Sequence, residues 1–326
     1  MQTENIIEIK DLTVSYKIKV GEIVTVDQVS LGFEKGKVTA LIGESGCGKT
    51  TLTNAIMDVL PLNASISKRS RVLFAGKDIT ESTEEEKRMF RWRKASIVFQ
   101  AAQSALNPLA NLSEQLTDSI FDHNPGISQS KAEEKIIELL ELVRLEPGRV
   151  LDAYPHELSG GMRQRVIIAM SMVLDPEFIF LDEPTTALDT ITQSYIFSIL
   201  TDIHANRNLS MVLITHDMAA AAKLSENIVV MYGGRVMEIN KTRKVFSNPQ
   251  HPYTQGLINS MPVIDGENVK KVPIKGAPPD MLNPPEGCIF SPRCPEVKKH
   301  CKFGKPDFVE SEGALVSCFL RGKKNA

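Results

Sequence analysis

The residues from Gly43 to Thr50 have the types and the spacing needed to hold a polyphosphate. They read Gly-Glu-Ser-Gly-Cys-Gly-Lys-Thr and match the phosphate-loop pattern G-x-x-x-x-G-K-[S/T]. Glycines in such a loop let backbone N–H groups turn toward one point, and the helix that follows adds the positive end of its dipole. We predict a nucleotide-binding loop made of Gly43, Glu44, Ser45, Gly46, Cys47, Gly48, Lys49, Thr50 and Thr51.

Three side chains of this loop call for separate interpretations. Lys49 would reach the β- and γ-phosphates of ATP, and the Thr50 hydroxyl would ligate Mg²⁺. Cys47 occupies a variable position of the pattern. We interpret it as a small filler residue in preference to a redox-sensitive thiol beside the phosphates.

Two acids end the apolar run Phe178–Leu181, namely Asp182 and Glu183. A carboxylate at the carboxyl end of a parallel strand points into the crevice where ligands bind in such sheets. Taken alone the pattern is weak, because many strands end in solvated acids. Together with the phosphate loop upstream, it predicts that Asp182 belongs to the Mg²⁺ shell and that Glu183 polarises the attacking water.

Two more polar side chains directly follow apolar strands. Gln100 follows Ser96–Phe99, and His216 comes two residues after the run Met211–Ile214. The Gln100 amide would contact the metal-bound or attacking water, and the His216 imidazole would hydrogen-bond the γ-phosphate and sense its departure. A lone histidine is usually a surface residue or a satisfied core residue, and spacing alone decides neither of these two roles.

A second anion-binding device is predicted at Ser159, Gly160 and Gly161, which precede the apolar helical stretch Val166–Leu174. A Ser-Gly-Gly turn at a helix N-terminus offers exposed N–H groups and a hydroxyl. One chain therefore carries two phosphate-binding devices, which is more than one nucleotide needs.

The elements that must position these residues alternate between short apolar strands and helices up to about residue 240, which indicates an α/β fold with a largely parallel sheet. Ile228–Met231 and Arg235–Ile239 flank a Gly-Gly turn and predict a closing hairpin. A mostly helical insert is predicted over 101–173, with its clearest helix from Gln129 to Val143. After residue 245 many prolines and little periodicity indicate an extended linker and a small loop-rich module. The helix predicted from Gln129 to Val143 would bury one face made of Ala132, Ile136, Ile137, Leu139, Leu140 and Val143.

Four cysteines, Cys288, Cys294, Cys301 and Cys318, fall within the last 40 residues. In a reducing compartment such a group indicates metal or cluster ligation before it indicates disulfides. Structural zinc sites prefer tighter knuckles than these gaps provide, and wider loops fit a 4Fe-4S cluster somewhat better. The sequence leaves three interpretations of these cysteines open, namely an iron–sulfur cluster, a zinc ion and free thiols. We expect any cluster to be structural or at most a redox sensor.

Bulk composition restricts the class of protein. The 326 residues are 42% hydrophobic and 24% charged, with a formal net charge of −2, which does not suggest a nucleic-acid partner. No apolar run approaches the roughly 20 residues that cross a bilayer, and the N-terminus lacks the apolar segment of a secretory signal. We therefore expect a cytoplasmic protein that does not itself span a membrane.

The motifs together resemble those of ATP-binding cassette (ABC) ATPases over about residues 6–240. Leu158-Ser159-Gly160-Gly161-Met162 is similar to the family signature LSGGQ, and Arg163-Gln164-Arg165 resembles its basic continuation. The resemblance implies that Tyr16 stacks on adenine, that Gln100 and His216 are the Q-loop and switch residues, and that Asp189 is the D-loop aspartate. It also implies a P-loop NTPase cassette with an antiparallel β subdomain and a helical subdomain. In a head-to-tail dimer, Ser159–Gly161 of one subunit would then close on the nucleotide of the other.

Met162 at the end of the signature, the run His251-Pro252-Tyr253-Thr254 and the cysteine tail resemble the D-type ATPase of dipeptide/oligopeptide importers. This implies an ATPase region over 1–245, a C-terminal extension over 246–326 and a place at the cytoplasmic face of the cell membrane. The implied partners are an F-type ATPase subunit, two permease subunits and, indirectly, an extracytoplasmic substrate-binding protein. Oligosaccharide import, a soluble ABC ATPase acting on DNA or ribosomes, and a regulatory ATPase with a ligand-sensing tail are the alternatives.

Overall fold

The structure is a computed structural model, and it describes residues 4–100, 102–124, 126–261 and 274–321. Ala101, which begins the predicted helical insert, and the C-terminal Lys323 and Lys324 lie outside the described residues. The chain divides into two compact units. The first comprises Met1–Glu34, Val38–Glu81 and Ile214–Ala326, and the second comprises Lys35–Lys37 and Ser82–Leu213.

The strands are β1 (Asn5–Ile18), β2 (Gly21–Glu34), β3 (Val38–Ile42), β4 (Ala64–Ile66), β5 (Arg71–Phe74), β6 (Lys77–Asp78), β7 (Ala95–Val98), β8 (Phe178–Asp182), β9 (Ser210–Thr215), β10 (Asn227–Tyr232), β11 (Arg235–Lys241), β12 (Phe308–Ser311) and β13 (Ala314–Ser317). The α-helices are α1 (Lys49–Ile56), α2 (Glu84–Phe90), α3 (Leu112–His123), α4 (Gln129–Leu142), α5 (Pro147–Val150), α6 (Gly160–Ser171), α7 (Thr190–Arg207), α8 (Met218–Leu224), α9 (Thr242–Ser247) and α10 (Pro252–Asn259).

The first unit contains the antiparallel β subdomain that the family resemblance implies. The long strands β1 and β2 pair antiparallel, and β1 also pairs antiparallel with β4 and β5. Alternate residues of β1 point into the core on each side of a register shift between Ile9 and Leu12, as expected for a strand with one buried face and a bulge. Ile7, Ile9, Leu12 and Val14 are each no more than 1% exposed.

The same unit contains the strand that leads into the phosphate loop. All five residues of β3 are buried, and β3 pairs parallel with β10. The predicted hairpin is confirmed, since β10 pairs antiparallel with β11 across Gly233-Gly234. The buried pair of β3 and β10 fixes the point at which the phosphate loop begins.

The C-terminal extension packs onto this sheet. Strand β13 pairs antiparallel with β11 and with β12, so the extension continues the sheet. Tyr253, Ile289 and Phe290 belong to the same buried cluster as Ala40 of β3 and Val230 of β10. Within its described residues, the extension therefore contains the end of α9, the helix α10 and the strand pair β12 and β13, which periodicity did not predict, while 274–307 is loop-rich apart from a 3₁₀ turn, Lys299–Lys302. The predicted boundary between 245 and 246 falls inside α9, and that division stays a prediction.

The second unit holds the parallel pair β7 and β8 together with helices α2 to α7. The predicted helix at Gln129 is confirmed, and its buried face contains Ala132, Ile136, Leu139 and Leu140. The prediction of this buried face was wrong at one residue. Ile137 is 40% exposed, because it follows the buried Ile136 by one residue and a helix turns by 100° at each step.

Candidate nucleotide-binding and hydrolysis site

The phosphate loop runs from the end of β3 to the first turn of α1. Gly48 directly precedes the helix. Its φ of +104° is a backbone conformation that residues other than glycine rarely adopt. A Cβ at Gly48 would stand less than 3.0 Å from the Thr25 carbonyl oxygen, and a Cβ at Gly43 would stand equally close to that of Met231. Glycine is therefore required at both positions so that the loop can approach its neighbouring strands.

The ammonium group of Lys49 points back into the loop. Lys49 is 7% exposed, and its Nζ donates to the carbonyl oxygens of Gly43 (2.8 Å) and Glu44 (3.1 Å). Carbonyl oxygens orient an ammonium group without cancelling its charge. The loop thus presents a held positive charge and a helix N-terminus at the same place, which suits a polyphosphate.

Cys47 is buried beside this lysine, with its Sγ 3.7 Å from Lys49 Nζ. Burial raises the pKa of the Cys47 thiol, and the charge of Lys49 opposes that rise only in part. A protonated, 4% exposed thiol agrees with the filler interpretation.

In the second unit, the predicted catalytic residues Glu183, directly after β8, and Gln100 lie within hydrogen-bond distance of each other. Asp182 is 1% exposed, and Glu183 after it has φ of +46°. Glu183 Oε2 accepts hydrogen bonds from Thr186 Oγ1 (2.8 Å) and from Gln100 Nε2 (3.4 Å). The Glu183 carboxylate is therefore oriented by two donors and remains half-buried, as a group that must polarise water requires.

The Ser-Gly-Gly turn begins α6 as predicted. Ser159 is the N-cap, and its Oγ accepts from the Met162 N–H (3.3 Å). A Cβ at Gly161 would stand 2.5 Å from Thr192 Cγ2, so the turn and the start of α7 are in close contact. These glycines leave the helix N-terminus accessible to an anion.

Asp189 has a structural task that the sequence reasoning did not assign. It is the N-cap of α7, and its carboxylate accepts from the Thr192 N–H (2.9 Å) and the Thr192 hydroxyl (2.6 Å). The Thr192 hydrogen bonds lower the pKa of Asp189 and keep it charged. The aspartate thereby fixes the loop that precedes the helix.

The remaining predicted residues are distributed over both units. Tyr16 is half-buried in β1, Thr50 and Thr51 lie in the first turn of α1, and His216 is exposed directly after β9. The first unit thus holds Tyr16, Gly43–Thr51 and His216. The second holds Gln100, Asp182, Glu183, Asp189 and Ser159–Gly161. Their assembly into one site stays a prediction.

Comparison with known proteins adds to this geometry. The family model for ABC transporters matches residues 26–186, and the model for the C-terminal region of oligopeptide/dipeptide transporters matches 237–301. The dipeptide transport ATP-binding protein DppD of Caldanaerobacter subterraneus is 43% identical over 97% of both chains. The oligopeptide transport ATP-binding protein OppD of Salmonella typhimurium is 36% identical over 96% of this chain and 93% of that one. This chain belongs to the DppD/OppD family of ABC transporter ATP-binding proteins.

Solved structures confirm the cassette fold expected for the DppD/OppD family. The dimeric structure of MJ0796, a bacterial ABC transporter cassette, has a TM-score of 0.65 and 28% identity and covers 73% of this chain and 99% of that chain. CbiO1 of Clostridium perfringens has a TM-score of 0.64 and 26% identity, covering 75% and 92%. Among the described residues, none of the helices is both long and apolar enough to cross a membrane.

The predicted metal centre in the C-terminal module is not supported. Within the described residues, no three His, Cys, Asp or Glu side chains are placed so that they could hold a metal ion. Burial raises the pKa of the thiols of Cys288, Cys294 and Cys318, to about 11 for Cys294, and the neighbouring cysteine thiols raise it further. An iron–sulfur cluster or a zinc ion on Cys288, Cys294, Cys301 and Cys318 is therefore not supported by the described residues. Buried apolar residues, Ile289 and Phe290 among them, pack the module onto the sheet.

Two residues that contact the phosphate loop were missed as site residues. The Glu44 N–H donates to the Tyr253 hydroxyl (3.0 Å), and Arg293 forms an ion pair with the Glu44 carboxylate (2.7 Å). Tyr253 lies within the His-Pro-Tyr-Thr run that the sequence had singled out for the DppD/OppD family. Arg293 had no such signal, because its partner lies 249 residues away in the chain.

Proposed function

We propose that this protein is the ATP-hydrolysing subunit of an ABC importer for dipeptides and oligopeptides. The observation that carries the proposal is the union in one chain of a complete phosphate loop with the C-terminal region of oligopeptide/dipeptide transporters. Named dipeptide transport relatives match over nearly the whole chain at 43% and 36% identity.

The phosphate loop would bind the triphosphate of ATP through its N–H groups and the Lys49 ammonium. The held geometry of Lys49, with two carbonyl oxygens orienting Nζ, supports this role. Thr50, Asp182 and Gln100 would provide oxygen ligands for Mg²⁺, which prefers such hard donors, and Tyr16 would stack on the adenine. When bound, Mg²⁺ neutralises charge that develops on the phosphate oxygens.

Glu183 is proposed to polarise the attacking water. Its carboxylate is held by hydrogen bonds from Thr186 and Gln100, and its positive φ is the kind of sparsely populated backbone conformation that clusters at functional sites. His216 follows β9 at the corresponding end of its strand and would hydrogen-bond the γ-phosphate. The proton of water passes toward the Glu183 carboxylate as the new oxygen–phosphorus bond forms, while the bond from the γ-phosphorus to the bridging oxygen breaks and ADP leaves.

A second ATPase subunit would complete the site. The chain carries two anion-binding helix N-termini, at α1 and at α6, and one bound nucleotide requires only one of them. The turn Ser159–Gly161 would therefore close on nucleotide held by the partner, and Asp189 would help to form that interface. We propose an F-type ATPase as this partner, with two permease subunits at the cytoplasmic face of the membrane and a substrate-binding protein on the other side.

Uptake measurements in cells test the proposal. Deletion of the gene should abolish uptake of a labelled dipeptide, and expression of the wild-type chain should restore uptake, whereas Glu183→Gln should not. A labelled oligosaccharide serves as the matched substrate control. Loss of oligosaccharide uptake with dipeptide uptake unchanged would overturn the assignment of the substrate while leaving the ATPase assignment intact.

A further inference from the structure

The C-terminal extension holds one residue of the phosphate loop, Glu44, from two directions. The Glu44 carboxylate pairs with Arg293 through both oxygens, at 2.7 Å and 3.0 Å. The Glu44 backbone N–H donates to the Tyr253 hydroxyl at 3.0 Å. Both the side chain and the backbone of this loop residue are therefore fixed by residues outside the cassette core.

Arg293 is itself held in place. Its side chain is only 6% exposed, and the guanidinium also donates to the Tyr232 hydroxyl (3.2 Å) and to the carbonyl oxygens of Lys275 (3.0 Å) and Ile274 (3.4 Å). The guanidinium carbon lies 5.6 Å from the centre of the Tyr232 ring. An arginine with this many fixed partners has lost little further freedom by pairing with Glu44, so the pair is preorganised.

Tyr253 is anchored from the opposite side. Its ring is fully buried and contacts the rings of Tyr232 and Phe290, with centroids 4.6 Å and 5.3 Å away. The buried Glu238 carboxylate accepts from the N–H of His251 (2.8 Å), directly before the helix that carries Tyr253. The hydroxyl that meets the phosphate loop is thus supported by packed aromatic rings and by strand β11.

The extension also covers the outer side of the same loop. A small pocket of about 30 Å³ is lined on one side by residues 44–47 and on the other by Pro278, Pro279 and Met281. A space of this size holds about one or two water molecules. The extension therefore lies against the loop along several residues.

We propose that Arg293 and Tyr253 are positioning residues, which hold the first turn of the phosphate loop in its phosphate-binding conformation and thereby set the affinity for ATP. The inference rests on the proposed function, because it assumes that this loop binds ATP. Its physical basis is that the loop's N–H groups must point at one place before the ligand arrives. If the competent conformation becomes less populated, the apparent Kd rises by the same factor.

Titration with a fluorescent ATP analogue tests this in the full-length chain. Arg293→Met should raise the Kd about tenfold, as it would if only a tenth of the loops were competent. Glu44→Gln removes the same ion pair from the loop side with almost no change in volume, and it should raise the Kd comparably. The double variant should show no more than the larger single effect, because the two residues act as one unit. Tyr253→Phe, which removes only the hydroxyl acceptor, should weaken binding by a smaller factor.

Arg321→Met is the matched control. Arg321 forms a similar two-oxygen pair with Glu296, at 3.1 Å and 2.9 Å, within the same module. The Kd of the Arg321→Met variant for the ATP analogue should equal that of the parent chain. An unchanged or tighter Kd in both Arg293→Met and Glu44→Gln, or an equal rise in Arg321→Met, would overturn the proposal. Lys49→Ala separates this failure from failure of the proposed function, since it should abolish nucleotide binding whether or not the positioning residues act.

Discussion

Replacement of Gly48 by alanine is the most direct test of the phosphate loop. Gly48 has φ of +104°, outside the region that an alanine adopts without strain. The new methyl carbon would also stand less than 3.0 Å from the Thr25 carbonyl oxygen, where ordinary contact begins at 3.4 Å. That oxygen belongs to the backbone of β2, so it cannot rotate away as a flexible side chain could.

The size of the effect follows from these two costs. Backbone strain at such a φ costs about 1–3 kcal/mol, and overpacking against a fixed neighbour costs a further 1–3 kcal/mol or so. If the loop relieves this cost by moving, its N–H groups no longer converge. Since about 1.4 kcal/mol corresponds to a factor of ten, ATP affinity should fall about 100-fold or more.

The assay combines nucleotide titration with thermal unfolding in the absence of nucleotide. Gly76→Ala is the matched control, because Gly76 has φ of +81° but a Cβ there meets nothing within 4 Å. The control should lose about 1 kcal/mol of stability from strain alone and keep the parental Kd. Parental ATP affinity in Gly48→Ala would refute the argument that close approach to β2 positions the loop.

Three further outcomes are expected. Glu183→Gln should abolish ATP turnover while ATP binding persists, and turnover at the parental rate would remove Glu183 from its role as base. The pKa of His251 is lowered to about 3, chiefly by burial, then by the charge of Arg321, and only partly offset by its hydrogen bond to Ser317. The unfolded chain takes up a proton below about pH 6.5, so the free energy of unfolding should fall by about 2 kcal/mol between pH 7 and pH 5, and denaturant titrations should show this fall reduced in His251→Gln. Asp189→Ala should cost about 1 kcal/mol through loss of the helix cap, measured by thermal unfolding, whereas Asp189→Asn keeps a capping oxygen and should stay near the parent; equal losses in both would show that the charge, and not the cap, stabilises α7.

The strands around the candidate site could be predicted closely from local patterns. The predicted strand Ser96–Phe99 is β7 at Ala95–Val98, and the predicted run ending in Asp182 is β8. Continuous apolar runs of four to six residues that are bounded by turn or polar residues are typical of buried strands, although the run Val166–Met170 lies in α6. The helix after the phosphate loop ends at Ile56, a boundary that local patterns do not set, because helix ends depend on tertiary contacts that no window of sequence contains.

The sequence by itself determined the phosphate loop, the acids after β8, the Ser-Gly-Gly turn and the family to which the chain belongs. These features depend on residue types at short fixed spacings, because turning backbone N–H groups toward a phosphate is a local requirement. Only the tertiary structure decided that Glu44 is held by Arg293 and Tyr253, and that the extension shares a core with β3 and β10. Contacts across 249 and 209 residues depend on where folded elements bring side chains together, and no spacing along the chain encodes them.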